Sequence, residues 1–127
     1  MQRDMDLLRE ILLKLEGMSQ QANSILTFKA GDLGIEGFTD DQVIYHFRLL
    51  ADEGYIDQGG RPPLSGLMFR QLTWKGHDFA DSVRDSEIWR KARGGALAAG
   101  GWTLDLIKDL AKGYVRKKLS DTTGIEL

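Results

Sequence analysis

Gln42, Tyr45, His46 and Arg48 fall within two turns of one amphipathic segment, and their side chains are of the kinds that grip or read a nucleic-acid duplex. Glutamine can bond adenine, arginine can bond guanine or a phosphate, and tyrosine and histidine can hold phosphate oxygens. Arg61 lies in the turn Gly59-Gly60-Arg61-Pro62-Pro63-Leu64-Ser65-Gly66, and Arg70 lies on the run that returns from it. An arginine at such a tip can reach a minor groove or a backbone. These six residues form the candidate nucleic-acid contact set. Asp40, Asp41 and Asp52 share the segment and would meet phosphates unfavourably, and a duplex site engages several cations where this helix offers one arginine. The same face equally suits a protein partner or plain solvent.

Other chemistries find few residues. The chain has no cysteine, which removes disulfides, thiolate metal sites and a cysteine nucleophile. His46 and His77 are the two histidines, 31 positions apart, too few for the ligand count that zinc requires. His77 follows Gly76 at a strand-to-helix corner, where donation to a backbone carbonyl would fix the turn. Asp40-Asp41 and Asp52-Glu53 stand at helix ends, where capping and solvation account for them without general acid–base work. No phosphate-binding loop or nucleophile elbow is spelled out. The expectation is a non-enzymatic chain with no catalytic residue, metal or cofactor.

The elements that would position the six candidates follow from pattern. Asp4 can cap a helix to about Leu15, with Leu7, Leu8, Ile11, Leu12 and Leu15 within about 140° of one another, and Gly17 stops it. Ile25–Phe28 favours a short strand near 25–29, with a short helix within 19–26 as the competing reading. Thr39 and Gln42 form a reciprocal capping box for a helix running to Glu53, with Asp40 and Asp41 in its first turn. Val43, Ile44, Phe47, Leu50 and Ala51 face inward on that helix. Runs near 55–58 and 67–73 flank the Gly/Pro turn as an antiparallel pair. Lys75 to about Arg84 reads as a helix broken near Asp85, with a short piece through Trp89 to Arg93. Trp74, Phe79 and Trp89 are assigned to the core. Residues 94–102, rich in Gly and Ala, read as a hinge before a helix over 103–119 capped by Thr103, and 120–127 as a frayed tail.

This order predicts an α+β fold. It is a winged-helix-like domain over 1–93, with a degenerate helix-turn-helix and a two-stranded wing, plus a C-terminal amphipathic helix. Three runs carry a more specific likeness: Arg3-Asp4-Met5-Asp6-Leu7-Leu8-Arg9, Ile44–Leu50 with Gly54-Tyr55-Ile56, and Leu72-Thr73-Trp74-Lys75-Gly76-His77-Asp78-Phe79. Over nearly its whole length the chain resembles a family of short bacterial, phage and prophage proteins described only as a domain of unknown function. That resemblance implies a winged-helix-like fold and a mobile-element setting, and it carries over no catalytic residue. The helix with its Gly-Tyr-Ile exit also resembles the recognition helix and first wing strand of bacterial winged-helix regulators.

Charge qualifies the regulator reading. The net charge is −2, and residues 91–127, with 7 basic and 4 acidic side chains, are the basic third. Leu106, Ile107, Leu110 and Tyr114 form an apolar stripe on the last helix, expected to bury either against its own domain or, as favoured here, at a homodimer interface that would gather its lysines into one surface. The partners expected are therefore double-stranded DNA or, alternatively, a host or phage protein, together with a second copy of the chain. No signal peptide or membrane span is evident, which places the chain in the cytoplasm.

Overall fold

Local signals set most of the helix ends. The computed structural model describes residues 1–18, 21–22, 24–98, 100 and 103–124. Helix α1 (Met5–Glu16) opens where the Asp4 carboxylate accepts from the Leu7 amide, and Gly17 closes it. Its apolar stripe, Leu7, Leu8, Ile11, Leu12 and Leu15, is buried as its spacing requires. Strand β1 (Leu26–Phe28) follows, so the strand reading of this region holds. A single 3₁₀ turn, Ala30–Leu33, comes next. Helix α2 (Asp40–Asp52) begins with the full capping box: the Thr39 hydroxyl accepts from the Gln42 amide, and the Gln42 side chain accepts from the Thr39 amide.

The exit from α2 is tightly specified. Gly54 takes φ +82°, the left-handed conformation glycine adopts without strain. Tyr55 N–H then bonds Leu50 O, and Gly54 N–H bonds Ala51 O, closing the helix in a Schellman arrangement. Strand β2 (Ile56–Asp57) leads into the long turn, and strands β3 (Leu67–Phe69) and β4 (Gln71–Leu72) return from it, parted by Arg70 alone. β4 pairs antiparallel with β2, matching Ile56 to Leu72. β3 pairs instead with β1, matching Leu26 to Phe69. The expected pairing of 55–58 with the whole of 67–73 is thus corrected. β2 is only two residues long, because the Asp57 side chain accepts from the Gly59 amide and turns the chain away. β1 takes up the remaining partner.

Helix α3 (Trp74–Val83) is seated on the α2 exit. A Cβ at Gly76 would lie 2.1 Å from Tyr55 O, so only glycine permits this approach. Phe79 is buried and meets the Tyr55 ring edge-on at 5.9 Å. Trp74, assigned to the core by sequence, is 90% exposed. As the first residue of α3 it projects from the corner whose inner side Gly76 occupies.

The chain forms two compact units, Met1–Ala80 and Asp81–Leu127, divided within α3. In the second unit the expected break at Asp85 is present, with the Asp85 carboxylate accepting from the amides of Glu87 and Ile88. Helix α4 (Ser86–Ala98) is longer than the short piece expected, and it absorbs the first half of the expected hinge. Its small residues serve packing: Ala92 and Ala96 are buried, and a Cβ at Gly95 would stand 3.3 Å from Leu110 Cδ1. The helix they receive is α5 (Leu104–Thr123), capped by Thr103 and closed by Gly124. The tail therefore stays helical to Thr123. Residues 99, 101 and 102 of the expected hinge, Trp102 among them, and 125–127 of the tail lie outside the described residues.

Two glycines separate these roles. Gly76→Ala drives a methyl into a carbonyl oxygen and destabilises on the order of 3 kcal/mol. Gly94→Ala, at a helical position with nothing within 4 Å of the new carbon, stabilises by about 0.5–1 kcal/mol. Urea denaturation of both variants checks the pair of signs.

Candidate functional site

The Met1–Ala80 unit brings α2, the 58–66 turn and the β3–β4 segment together, and with them the six candidate contacts. Four of the six are committed within that unit. Gln42 spends its Oε1 on the capping box, accepting from Thr39 N–H at 2.8 Å. His46 is 1% exposed, and its Nε2 accepts from the Asp4 amide at 2.8 Å. Its Nδ1 lies 2.7 Å from Gln42 O, so the ring is the neutral Nδ1–H tautomer that donates there and accepts at Nε2. His46 thus belongs to the buried set with Val43, Phe47 and Leu50 and ties the start of α1 to α2. Its assignment as a nucleic-acid contact is corrected.

The arginines are struts. Arg48 Nη2 donates to Leu64 O at 2.7 Å and Pro63 O at 3.4 Å, holding the tip of the turn against α2. Arg70 Nε donates to Asp57 Oδ2 at 2.9 Å, and its Nη2 bonds the same oxygen. That bond holds the Asp57 carboxyl below its ordinary value of 3.8, and the Gly59 amide adds to the effect against partial desolvation. One arginine therefore fixes the base of the turn and the other its tip. Tyr45 is half-buried and meets the His46 ring edge-on at 5.4 Å, and Arg61 is exposed. Of the six, these two make no internal side-chain hydrogen bond among the described residues.

Leu64 and Trp74 are the most exposed of the large apolar residues, and the sequence reading foresaw neither. Leu64 is 94% exposed on the very peptide whose carbonyl Arg48 holds. Trp74 is the second. Leu64 was legible in principle, since a leucine among Pro, Ser and Gly in a turn has no strand or helix face to join. Trp74 was hidden because it directly follows an apolar strand.

His77 does not donate its side chain to a backbone carbonyl as expected. Its Nδ1 stands 3.7 Å from the Glu16 carboxylate, and Thr73 supplies the bond that fixes the corner. Asp40, Asp41, Asp52 and Glu53 are all exposed. No cluster of three metal-binding side chains occurs among the described residues, and no helix there is long and apolar enough to cross a membrane.

In the Asp81–Leu127 unit, Ile107 is fully buried within the single chain, and Leu110 and Tyr114 lie against Gly95 of α4. Leu106, Leu110 and Tyr114 are half-buried. Of the stripe expected either in its own core or at a dimer interface, Leu110 and Tyr114 thus adjoin Gly95 of the same chain and Ile107 is buried there.

Taken by class, this is a mixed α+β protein of five α-helices and two small two-stranded sheets among its described residues. The chain belongs to the family described as Hypothetical protein (DUF2513), whose model matches residues 2–102. It is also similar to an uncharacterized protein of Haemophilus influenzae (strain ATCC 51907 / DSM 11121 / KW20 / Rd), at 34% identity over 123 residues, covering 94% of this chain and all of the relative. No solved structure matches it.

The Asp57–Arg70 pair carries a pH signature. Because the folded carboxyl titrates below 3.8, its contribution is complete at neutral pH and is lost as pH falls through the lowered value. Asp57→Asn lowers stability at about pH 7 and loses less than the parent on going to about pH 3. Urea midpoints at the two pH values check this; equal losses in both proteins would refute it.

Proposed function

We propose that the Met1–Ala80 unit is a winged-helix-like module that binds a protein through its α2–wing face, rather than an enzyme or a reader of DNA. Element order supports the fold part of this reading. α1, β1, the 3₁₀ turn, α2, β2, the long turn, β3–β4 and α3 follow winged-helix order, with the 3₁₀ turn in place of the usual second helix. The β3–β4 segment serves β1 and then β2 as the central strand of such a wing would.

The observation that carries the choice of partner is the inward use of the candidate contacts. Gln42 Oε1, both His46 ring nitrogens, Arg48 Nη2, and Arg70 Nε and Nη2 are engaged in capping, at the start of α1 and in the turn. The unit as a whole holds 8 basic and 12 acidic side chains, a net −4. Phosphate backbones select the reverse, since affinity there grows with each cation offered. A tethered loop that presents Leu64 between prolines and glycine, held by an Arg48 that lies one turn after half-buried Tyr45 on α2, suits a protein surface better. An apolar side chain moved from water into a partner's pocket gains about 1.5–3 kcal/mol.

A photo-cross-linking amino acid at Leu64, in the full chain expressed in its native cell, tests this. The expected product is a discrete protein adduct, lost when Arg48→Ala releases the turn. A nuclease-sensitive adduct would contradict the proposal and return the face to DNA.

A further inference from the structure

Trp74 stands apart from both the core and the wing. An indole with 90% of its surface in water is costly to leave idle, and here its backbone is held with unusual firmness. Thr73 N–H donates to Tyr55 O at 3.2 Å, and the Thr73 hydroxyl donates to Gly54 O. That hydroxyl also accepts from Gly76 N–H at 3.1 Å. Lys75 Nζ donates to Glu53 O at 3.1 Å and lies 4.4 Å from the centre of the Tyr55 ring. The residues on either side of Trp74 are therefore anchored to three successive peptides of the α2 exit, and the ring is presented from a fixed base.

What adjoins that base is negative. The α2 C-terminus ends there, with the partial negative charge of its last carbonyls. Asp52 and Glu53 are exposed on the same turn. Lys75 is the one cation contributed by the corner, and it is already bound to Glu53 O and the Tyr55 face. An aromatic face beside excess negative charge attracts guanidinium and ammonium groups, because the ring quadrupole and the carboxylates act in the same direction.

We propose that Trp74, with Asp52 and Glu53, forms a docking site for a basic, arginine- or lysine-bearing segment of a partner protein. The site goes beyond the wing contact at Leu64: it is built from the α2 exit and the start of α3, and it selects by charge where Leu64 selects by apolar fit. The charge of the unit, net −4, draws such a segment in at a distance, and Trp74 orders one of its cations at contact.

The test uses the full chain, ¹⁵N-labelled, titrated with an octa-arginine peptide and separately with octa-glutamate, following the Trp74 indole N–H resonance. Octa-arginine is expected to shift that resonance saturably, and octa-glutamate to leave it unmoved. Trp74→Ala, a change at an exposed position, weakens octa-arginine about fivefold. Asp52→Asn with Glu53→Gln weakens it at least as much, more so at low salt. Absence of saturable octa-arginine binding, or equal affinity in the parent and Trp74→Ala, would overturn the proposal. Neither result bears on the adduct formed at Leu64, so the two sites stand or fall separately.

Discussion

Three consecutive carbonyls, those of Glu53, Gly54 and Tyr55, are the hinge pin of the Met1–Ala80 unit. Lying past the last turn of α2, these carbonyls have no donors within the helix. The sequence Thr73-Trp74-Lys75-Gly76 supplies them in order: the Lys75 ammonium, the Thr73 hydroxyl and the Thr73 amide. Gly76 lets the backbone of α3 come close enough for all three. Within this unit, the elements downstream of α2 depend on this seat. It fixes where β2 starts, which sets the pairing of Ile56 with Leu72, which in turn leaves β3 to β1. It also decides that Trp74 faces water.

The same economy governs the polar residues of α2 and the 58–66 turn. A cation that binds DNA must keep its hydrogen-bonding capacity for phosphate or base. Arg48 and Arg70 instead satisfy the carbonyls and carboxylate of a turn that has few backbone partners of its own. His46 does likewise for the first amide of α1. The result is a turn held at base and tip with its apolar residue outward, and the proposed protein contact rests on that arrangement.

Sequence proved informative wherever the cause of structure is local. The Asp4 and Thr39 caps, the Gly54 exit and the Asp85 break each depend on residues within four positions, and each is found where the pattern places it. It was uninformative wherever a side chain chooses between distant partners. His46 bonds Asp4 across 42 positions, Arg48 bonds Leu64 across 16, and Arg70 bonds Asp57 across 13. Residue type told correctly that these groups bind something and could not tell that the something lies within the fold. The Gly94–Ala98 run misled for a related reason. Small residues read as flexibility, whereas Ala92, Gly95 and Ala96 share one helix face that lets Leu110 and Tyr114 close in.

If Arg48 and Arg70 are struts, the bonds they make to Leu64, Pro63 and Asp57 persist when nucleic acid is present. The most direct measurement is to follow the side-chain Nε–H resonances of Arg48 and Arg70 in the intact chain while a duplex DNA of mixed sequence is added at low salt. Our account predicts that both signals keep their shifts throughout the titration. A saturable displacement of either would show the guanidinium trading its internal partner for phosphate, and would contradict it.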